Sequence, residues 1–303
     1  MALNNNNVTL FSFNCRSVRS SVPEINELCE HCDFLLVQEH WLLPNETNFL
    51  SNLHKEFLAV GHSSVDISQG ILTGRPYGGT GILFRKTLSK FISILDTHNP
   101  RVTALILKTV CGPTLLVSTY MPTDCGDNDS LETYIETCAY ITALYRDVDA
   151  VQLIVGGDFN CRVGSRFFDL FLRFVNDNNL QLTDLNRLQD VFTFCNDAGN
   201  ASSWIDHFVC SLAVDNLVSN CAVHYKYITS DHKPISVTLN HLLPFHDVSA
   251  VNNSVANCKV LPDWSSCDEN CIEYYQYELD IALARISIPS VLLNEHAGCN
   301  NVL

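Results

Sequence analysis

Short apolar runs alternate with amphipathic segments along most of the chain, and this alternation predicts both strands and helices. The strand-like runs lie at residues 8–13, 33–39, 81–84, 101–110, 114–120, 151–155, 204–210 and 235–239. Helical spacing of apolar residues marks 23–31, 130–146 and 166–178. Residues 61–79 contain several glycines and serines, which is typical of an exposed loop.

The order of these elements predicts the fold class and the domain boundaries. The runs at 81–84, 101–110 and 114–120 follow one another closely, so we expect neighbouring antiparallel strands. Strands and helices mixed in this way predict an α/β fold in which two sheets pack face to face with helices outside. We assign this domain to residues 1–242, and we expect a linker and a helical tail over 243–303.

Composition and charge narrow the class of protein. The chain has 303 residues, 47% hydrophobic and 17% charged, as expected for a globular protein with a large core. Its formal net charge is −15, whereas a dedicated nucleic-acid binder is usually basic, so any contact with nucleic acid is expected to be local and weak. We find no bilayer-spanning run and no targeting signal, which predicts an intracellular protein without membrane association.

Several predicted strands end abruptly in side chains that carry chemistry. A carboxylate such as Glu39 suits Mg²⁺, and Asn14 offers a neutral oxygen ligand. Asp231 is a further candidate ligand. Glu39 and Asn14 also have ordinary explanations, as a surface glutamate and a turn asparagine.

The segment that follows the run at 151–155 is Gly156-Gly157-Asp158-Phe159-Asn160. We expect the glycines to let the backbone turn tightly and bring a substrate close. Asp158 and Asn160 are two residues apart, so in extended chain they point the same way; one can orient a water while the other donates to an oxyanion. An Asx-type turn is the alternative explanation.

His232 lies just before the last predicted strand, and a histidine of this kind can donate a hydrogen bond to a phosphorane-like intermediate if a carboxylate fixes its other nitrogen. Asp206 is the natural partner. The phenol of Tyr120 is a candidate donor to a phosphate oxygen, although a tyrosine at the edge of the core is, for this residue alone, the better explanation.

Taken together, these segments resemble the endonuclease/exonuclease/phosphatase (DNase I-like) superfamily. Asn14, QEH at 38–40, STY at 118–120, GGDFN at 156–160, SWID at 203–206 and SDH at 230–232 occur in the superfamily's order. The stretches FNCRSV, LLVQEHWL, YGGTGILFRK and SSWIDHFVCS are most similar to the endonuclease domain of non-LTR (LINE-type) retrotransposons. The resemblance spans about residues 8–240, and the tail looks like the segment before a reverse transcriptase.

The resemblance implies a four-layer α/β-β/α sandwich of two mixed, mostly antiparallel sheets, and phosphodiester hydrolysis with Mg²⁺ or, alternatively, Mn²⁺. It implies that Asp158 activates water, that His232, oriented by Asp206, stabilises developing charge, and that Asn160 and Tyr120 hold phosphate oxygens. The implied metal-side residues are Glu39, Asn14 and Asp231. The implied substrate contacts are Arg16, Arg162, Thr193 and Ser203.

We therefore expect a DNA-nicking endonuclease with access to the nucleus, and a reverse-transcriptase domain is an expected partner in a longer polyprotein. Arg16 stands where apurinic endonucleases carry an acidic residue, which counts against repair of abasic sites. Two alternatives stay open. One is a phosphatase or a phosphodiesterase of inositol phosphates or phospholipid head groups, with the same fold. The other is an inactive, domesticated binding module.

Overall fold

The first of two central sheets combines strands from the beginning and the end of the domain. The computed structural model describes residues 7–67, 74–196, 198 and 201–244. The strands of this sheet, sheet I, are β1 (Asn7–Asn14), β2 (Phe34–Gln38), β3 (Phe57–His62), β4 (Thr80–Arg85), β13 (Val218–Val223) and β14 (Ile235–Asn240). Their order across the sheet is β13-β14-β1-β2-β4-β3. β1 and β2 pair in parallel, and the other neighbours are antiparallel.

Sheet II is built from the middle of the chain. Its strands are β5 (Ile92–Ile94), β6 (Val102–Thr109), β7 (Gly112–Tyr120), β8 (Gln152–Asp158), β9 (Leu180–Leu182) and β12 (Asp206–Ser211). Their order is β5-β6-β7-β8-β12-β9, and β7 and β8 are the parallel pair. A separate two-stranded ribbon joins β10 (Phe194–Cys195) to β11 (Ser202–Ser203).

Helices cover the outer face of each sheet. The helices are α1 (Val22–His31), α2 (Asn128–Asp147), α3 (Arg166–Asp177) and the short α4 (Leu212–Asp215), with 3₁₀ turns at Pro44–Asn52 and Lys86–Phe91. Side-chain oxygens cap the N-termini of two helices: Asp127 accepts from the Ser130 amide at α2, and Ser165 accepts from the Phe168 amide at α3. The amphipathic face of α3 buries Phe167, Phe171 and Phe174.

Alternation along the strands produces three separate cores. On β2, Phe34 and Leu36 face the other sheet, whereas Leu35 and Val37 pack with α1. On β8, Ile154 belongs to the core between the sheets, and Leu153 and Val155 to the core beneath α2 and α3. Three cores between four layers confirm the predicted α/β-β/α sandwich.

The structure corrects several of the predicted elements. The run at 81–84 forms β4 in sheet I, so it does not neighbour β6 and β7, which pair as expected. The sequence pattern missed β3 and β13, both of which are only partly buried. The predicted loop at 61–79 begins later, because Gly61 and His62 belong to β3. The predicted linker and helical tail lie outside the described residues from residue 245 onward.

Candidate active site

The predicted catalytic side chains meet at one end of the sandwich because both parallel pairs end there. Asn14 is the last residue of β1 and Glu39 follows β2, while Tyr120 and Asp158 end β7 and β8. Asp206 begins β12 directly opposite Asp158. Since sheets I and II face each other, these strand ends point into one cleft.

A buried polar contact fixes the two sheets beneath this cleft. The Gln38 amide nitrogen donates to the Ser118 hydroxyl at 3.0 Å, which places β2 against β7. The Ser118 hydroxyl in turn donates to the Val37 carbonyl at 3.3 Å. All three residues are fully buried, so the contact sets the spacing of the strand ends above it.

Asn14 lies at the centre of the site. Its Nδ2 donates to Glu39 Oε1 at 2.8 Å and to Asp158 Oδ2 at 3.0 Å, and it lies 3.4 Å from His232 Nε2. The amide oxygen of Asn14 accepts from the Arg16 backbone amide at 3.2 Å. Asn14 thus presents its amide nitrogen to the two carboxylates and holds them together, while its role as an oxygen ligand of a metal stays a prediction.

His232 and Asp206 form the expected pair. His232 Nδ1 lies 2.9 Å from Asp206 Oδ2, so Nδ1 carries the proton and Nε2 faces Asp158 Oδ2 at 3.8 Å. Burial disfavours the charged imidazole, but the negative charges of Asp206 and Asp158 outweigh it and raise the pKa of His232. The Phe194 ring packs edge-on at 5.1 Å and limits the rotation of the imidazole.

Asp158 is held from two sides and is almost completely buried. Its Oδ1 accepts from the Asn160 backbone amide at 2.9 Å, and the Asn160 side-chain nitrogen donates to the Met121 carbonyl at 2.8 Å. Burial raises the pKa of Asp158, His232 opposes this shift, and Asp206 adds to it. Asn160 has a left-handed backbone conformation (φ 48°). Because its backbone and side-chain amides both donate to neighbouring protein groups, its direct contacts are those of a positioning residue.

The glycines before Asp158 serve packing and not the expected tight turn. Both lie inside β8. A Cβ on Gly156 would lie 2.4 Å from the Phe208 ring, and one on Gly157 would lie 2.0 Å from the Thr119 carbonyl oxygen. Their missing side chains allow β12 and β7 to approach β8 closely.

A cavity of about 380 Å³ opens above these groups. Its wall contains Tyr120 and Ser203, together with Arg16 and Asp231, which form an ion pair at 3.2 Å. Burial, followed by the charge of Glu39, raises the pKa of Tyr120, so the phenol keeps its proton as a donor. Asp231 therefore contacts a cation of the chain itself and is outside the acidic group described below.

Two of the predicted substrate contacts lie away from the cavity wall. Thr193 is fully buried, and its hydroxyl accepts from the Ile205 and Asp206 amides, both at 3.0 Å. Thr193 therefore positions Asp206 from below. Arg162 is exposed in the loop before α3. The sequence interpretation missed Trp41, which lines the cavity, although it follows the QEH segment directly.

The donor set fits a divalent cation. Glu39 and Asp158 each offer a carboxylate oxygen as a ligand, and these oxygens and His232 Nε2 lie within 4.8 Å of one another. The Asn14 amide donates to both carboxylates and so holds their oxygens close together, facing the cavity where a cation would bind. Carboxylate oxygens are the ligands that Mg²⁺ and Mn²⁺ take in proteins.

Comparison with known proteins places the chain in a family. The profile of the Endonuclease/Exonuclease/phosphatase family matches residues 11–232, and the chain belongs to this family. A search of curated proteins finds no match. Among the residues that the structure describes, no helix is both long and apolar enough to cross a bilayer.

Solved structures share the fold at low sequence identity. The AP endonuclease LMAP from Leishmania major is 17% identical with a TM-score of 0.62, over 78% of this chain and 88% of that one. A variant of the 3′ phosphatase NExo from Neisseria, bound to a product DNA hairpin, is 14% identical with a TM-score of 0.60, over 77% of this chain and 99% of that one. The endonuclease domain of TRAS1, a telomere-specific non-LTR retrotransposon, is 16% identical with a TM-score of 0.57, over 78% of this chain and 99% of that one.

Proposed function

We propose that this protein is a metal-dependent phosphodiester hydrolase that nicks DNA, of the type found in non-LTR retrotransposons. The convergence of Glu39, Asp158 and the His232–Asp206 pair on one cavity, in a chain of this family, carries the proposal. The likeness to the TRAS1 endonuclease domain and the similar retrotransposon segments support the choice of DNA as substrate. A reverse-transcriptase partner and nuclear access belong to the same proposal.

The chain's own residues account for most of the proposed chemistry. Glu39 would hold a divalent cation, with the Asp158 carboxylate within reach, and Mg²⁺ or Mn²⁺ supplies neutralisation of phosphate charge when bound. Asp158 orients the attacking water and accepts its proton, and the raised pKa suits a base. Asn14 and Asn160 keep this carboxylate in place.

His232 and Tyr120 act on the phosphate. The imidazole Nε2 donates to an oxygen that gains charge as water adds, because Asp206 holds Nδ1 and favours the protonated ring. Tyr120 donates a hydrogen bond from its phenol to a second phosphate oxygen. As the water oxygen bonds to phosphorus, the P–O bond to the leaving strand end breaks, and the leaving oxygen takes up a proton from solvent. Arg16, anchored by Asp231 at the cavity wall, contacts the flanking strand, and Ser203 adds a hydroxyl at the same wall.

Nicking of supercoiled plasmid tests the proposal. We expect conversion to open circles with Mg²⁺ and none with a chelator, and loss of nicking in Asp158→Ala. Asp129→Ala, an exposed acid in the first turn of α2, is the matched control and keeps full activity. Nicking that persists in Asp158→Ala contradicts the proposed site.

A panel of inositol phosphates and phospholipid head groups tests the alternative substrates. Phosphate release from these compounds without plasmid nicking would move the assignment to another branch of the family. A protein that binds DNA but hydrolyses none of these substrates would instead be a binding module.

A further inference from the structure

Trp41 connects the proposed metal ligand with a cation at the rim of the cavity. Its indole Nε1 donates to Glu39 Oε2 at 3.1 Å. The guanidinium carbon of Arg75 lies 4.2 Å from the centroid of the same ring. Both residues line the cavity. One ring therefore contacts a carboxylate at its edge and a cation on its face.

The Glu39 carboxylate is fixed through both oxygens. Oε1 accepts from Asn14 at 2.8 Å, and Oε2 accepts from Trp41. A carboxylate held in this way enters a metal site without first losing rotational freedom, and such supporting contacts set metal affinity. Trp41 supplies the second of these two hydrogen bonds.

The backbone around Trp41 is strained and is locked by its neighbours. Glu39 and Trp41 both have left-handed backbone angles (φ 52° and 55°), which are unfavourable for long side chains. The Trp41 amide donates to the Gly78 carbonyl at 3.1 Å. His40, between them, is buried and accepts from the Leu42 amide at 3.0 Å. Strain that the surrounding structure maintains is concentrated at functional sites.

Arg75 is exposed apart from this contact with the indole face. Stacking on an aromatic ring limits the directions that a guanidinium can take but leaves its N–H groups available. A guanidinium held at the edge of an acidic cavity matches the charge and the geometry of a phosphodiester.

We propose that Trp41 is a positioning residue with two roles, which rest on the proposed function. Its N–H orients Glu39 for the divalent cation, and its ring holds Arg75 where the guanidinium contacts a phosphate of the bound strand. The two roles are separable, since one depends on the indole N–H and the other on the ring and Arg75.

Binding of Mn²⁺ alone, followed by the electron paramagnetic resonance of the free ion, tests the first role. Trp41→Phe keeps a ring and removes the N–H, and we expect about tenfold weaker Mn²⁺ binding. Trp204→Phe is the matched control, because the buried Trp204 indole N–H has no hydrogen-bond partner within the described part of the chain. Its Mn²⁺ affinity stays at the wild-type value.

Trp41 replaced by 3-benzothienylalanine provides a second version with the size of both rings and no N–H. This version keeps the test valid if Trp41→Phe folds poorly. Wild-type Mn²⁺ affinity in either folded version overturns the first role.

Steady-state nicking with Mg²⁺ tests the second role. Arg75→Gln is expected to raise KM for plasmid several-fold and to leave Mn²⁺ affinity unchanged, whereas Trp41→Ala changes both quantities. Arg146→Gln, on the helical layer away from the cavity, is the control for lost charge. An unchanged KM in Arg75→Gln overturns the second role.

These outcomes separate the inference from the proposed function. If wild-type protein binds Mn²⁺ and nicks plasmid, and the variants behave identically, only the proposed roles of Trp41 are contradicted. Wild-type protein that neither binds Mn²⁺ nor nicks plasmid removes both.

Discussion

Two consecutive residues of β12, Asp206 and His207, each belong to a histidine–aspartate pair, and the surroundings of the two pairs differ. Asp206 contacts His232 Nδ1 at 2.9 Å, and the next residue, His207, contacts Asp184 Oδ2 through Nδ1 at 2.8 Å. All four residues are buried. Because neighbouring residues of a strand point to opposite faces, one pair faces the cleft and the other faces the helical layer.

The difference lies in the second nitrogen of each ring. His207 Nε2 lies 3.3 Å from the Cys161 carbonyl, and the Phe171 ring stacks on the imidazole at 5.2 Å. Both nitrogens of His207 therefore face acceptors inside the protein. His232 Nε2 instead faces the cavity beside Asp158. Under the proposed function, an available nitrogen, and not the carboxylate pairing, therefore distinguishes the histidine expected to act on the substrate from the one expected to stabilise the fold.

The largest expected effect comes from removing the histidine that faces the cavity. His232→Ala should lower kcat for plasmid nicking by about 10³-fold, since it removes a positioned donor to the developing charge. His31→Ala, an exposed histidine at the end of α1, is the control and keeps wild-type kcat. Thermal melts show whether both variants are folded. A folded His232→Ala protein with wild-type kcat would contradict the proposal that the pair facing the cavity acts in catalysis.

The buried pair should affect stability instead of catalysis. His207→Ala leaves Asp184 without its cation, and loss of one partner of a buried pair costs about 3–5 kcal/mol. Denaturant titration measures this loss as a lower unfolding midpoint. We expect kcat of the folded protein to fall far less than in His232→Ala. A large drop in kcat with unchanged stability would show that His207 acts on the site directly.

Much of the fold follows from the sequence because the central strands are buried on both faces. β2 and β8 are continuous apolar runs that end in polar groups, so their positions and the candidate-site residues at their ends were predictable. β3 and β13 were not, since they lie at the edges of sheet I and bury too little apolar surface to show a clear pattern. The pairing of β4 with β2 and not with β6 depends on contacts distant in sequence.

Within the site, residue types were easier to predict than orientations. The strand ends identify Asn14, Glu39 and Asp158, but which atom of Asn14 faces the carboxylates depends on the three-dimensional arrangement. Thr193 was expected at the substrate, yet a single threonine carries no signal for burial. Nor does the sequence distinguish the roles of His207 and His232, because the partner of His207, Asp184, follows a short strand that the pattern missed.

Thr193 supports the start of β12, where the two pairs are adjacent in sequence, and its replacement should affect stability less than the loss of His207. Its hydroxyl accepts from the Ile205 and Asp206 amides, just before His207. Thr193→Val leaves these two buried amides without their acceptor, which should cost about 2 kcal/mol of unfolding free energy. We also expect a lower kcat, because Asp206 loses its support. Thr193→Ser keeps the hydroxyl and should restore both quantities; failure to do so would indicate a role for the methyl group in packing.

The smallest predicted effect is the pH dependence of stability that His207 contributes. Burial disfavours the imidazolium, but the charge and the hydrogen bond of Asp184 outweigh it, so the folded pKa of His207 is raised well above the ordinary value of 6.5. The stabilisation is then fully present below pH 6.5, where the folded and unfolded states are both protonated. It is lost as the pH rises from there through the folded pKa, with a slope of at most about 1.4 kcal/mol per pH unit. Unfolding free energies of wild type and His207→Gln, measured across this window, should converge as the pH increases. A difference that stays constant with pH would mean that His207 is neutral in the fold and that the two pairs differ in charge as well as in access.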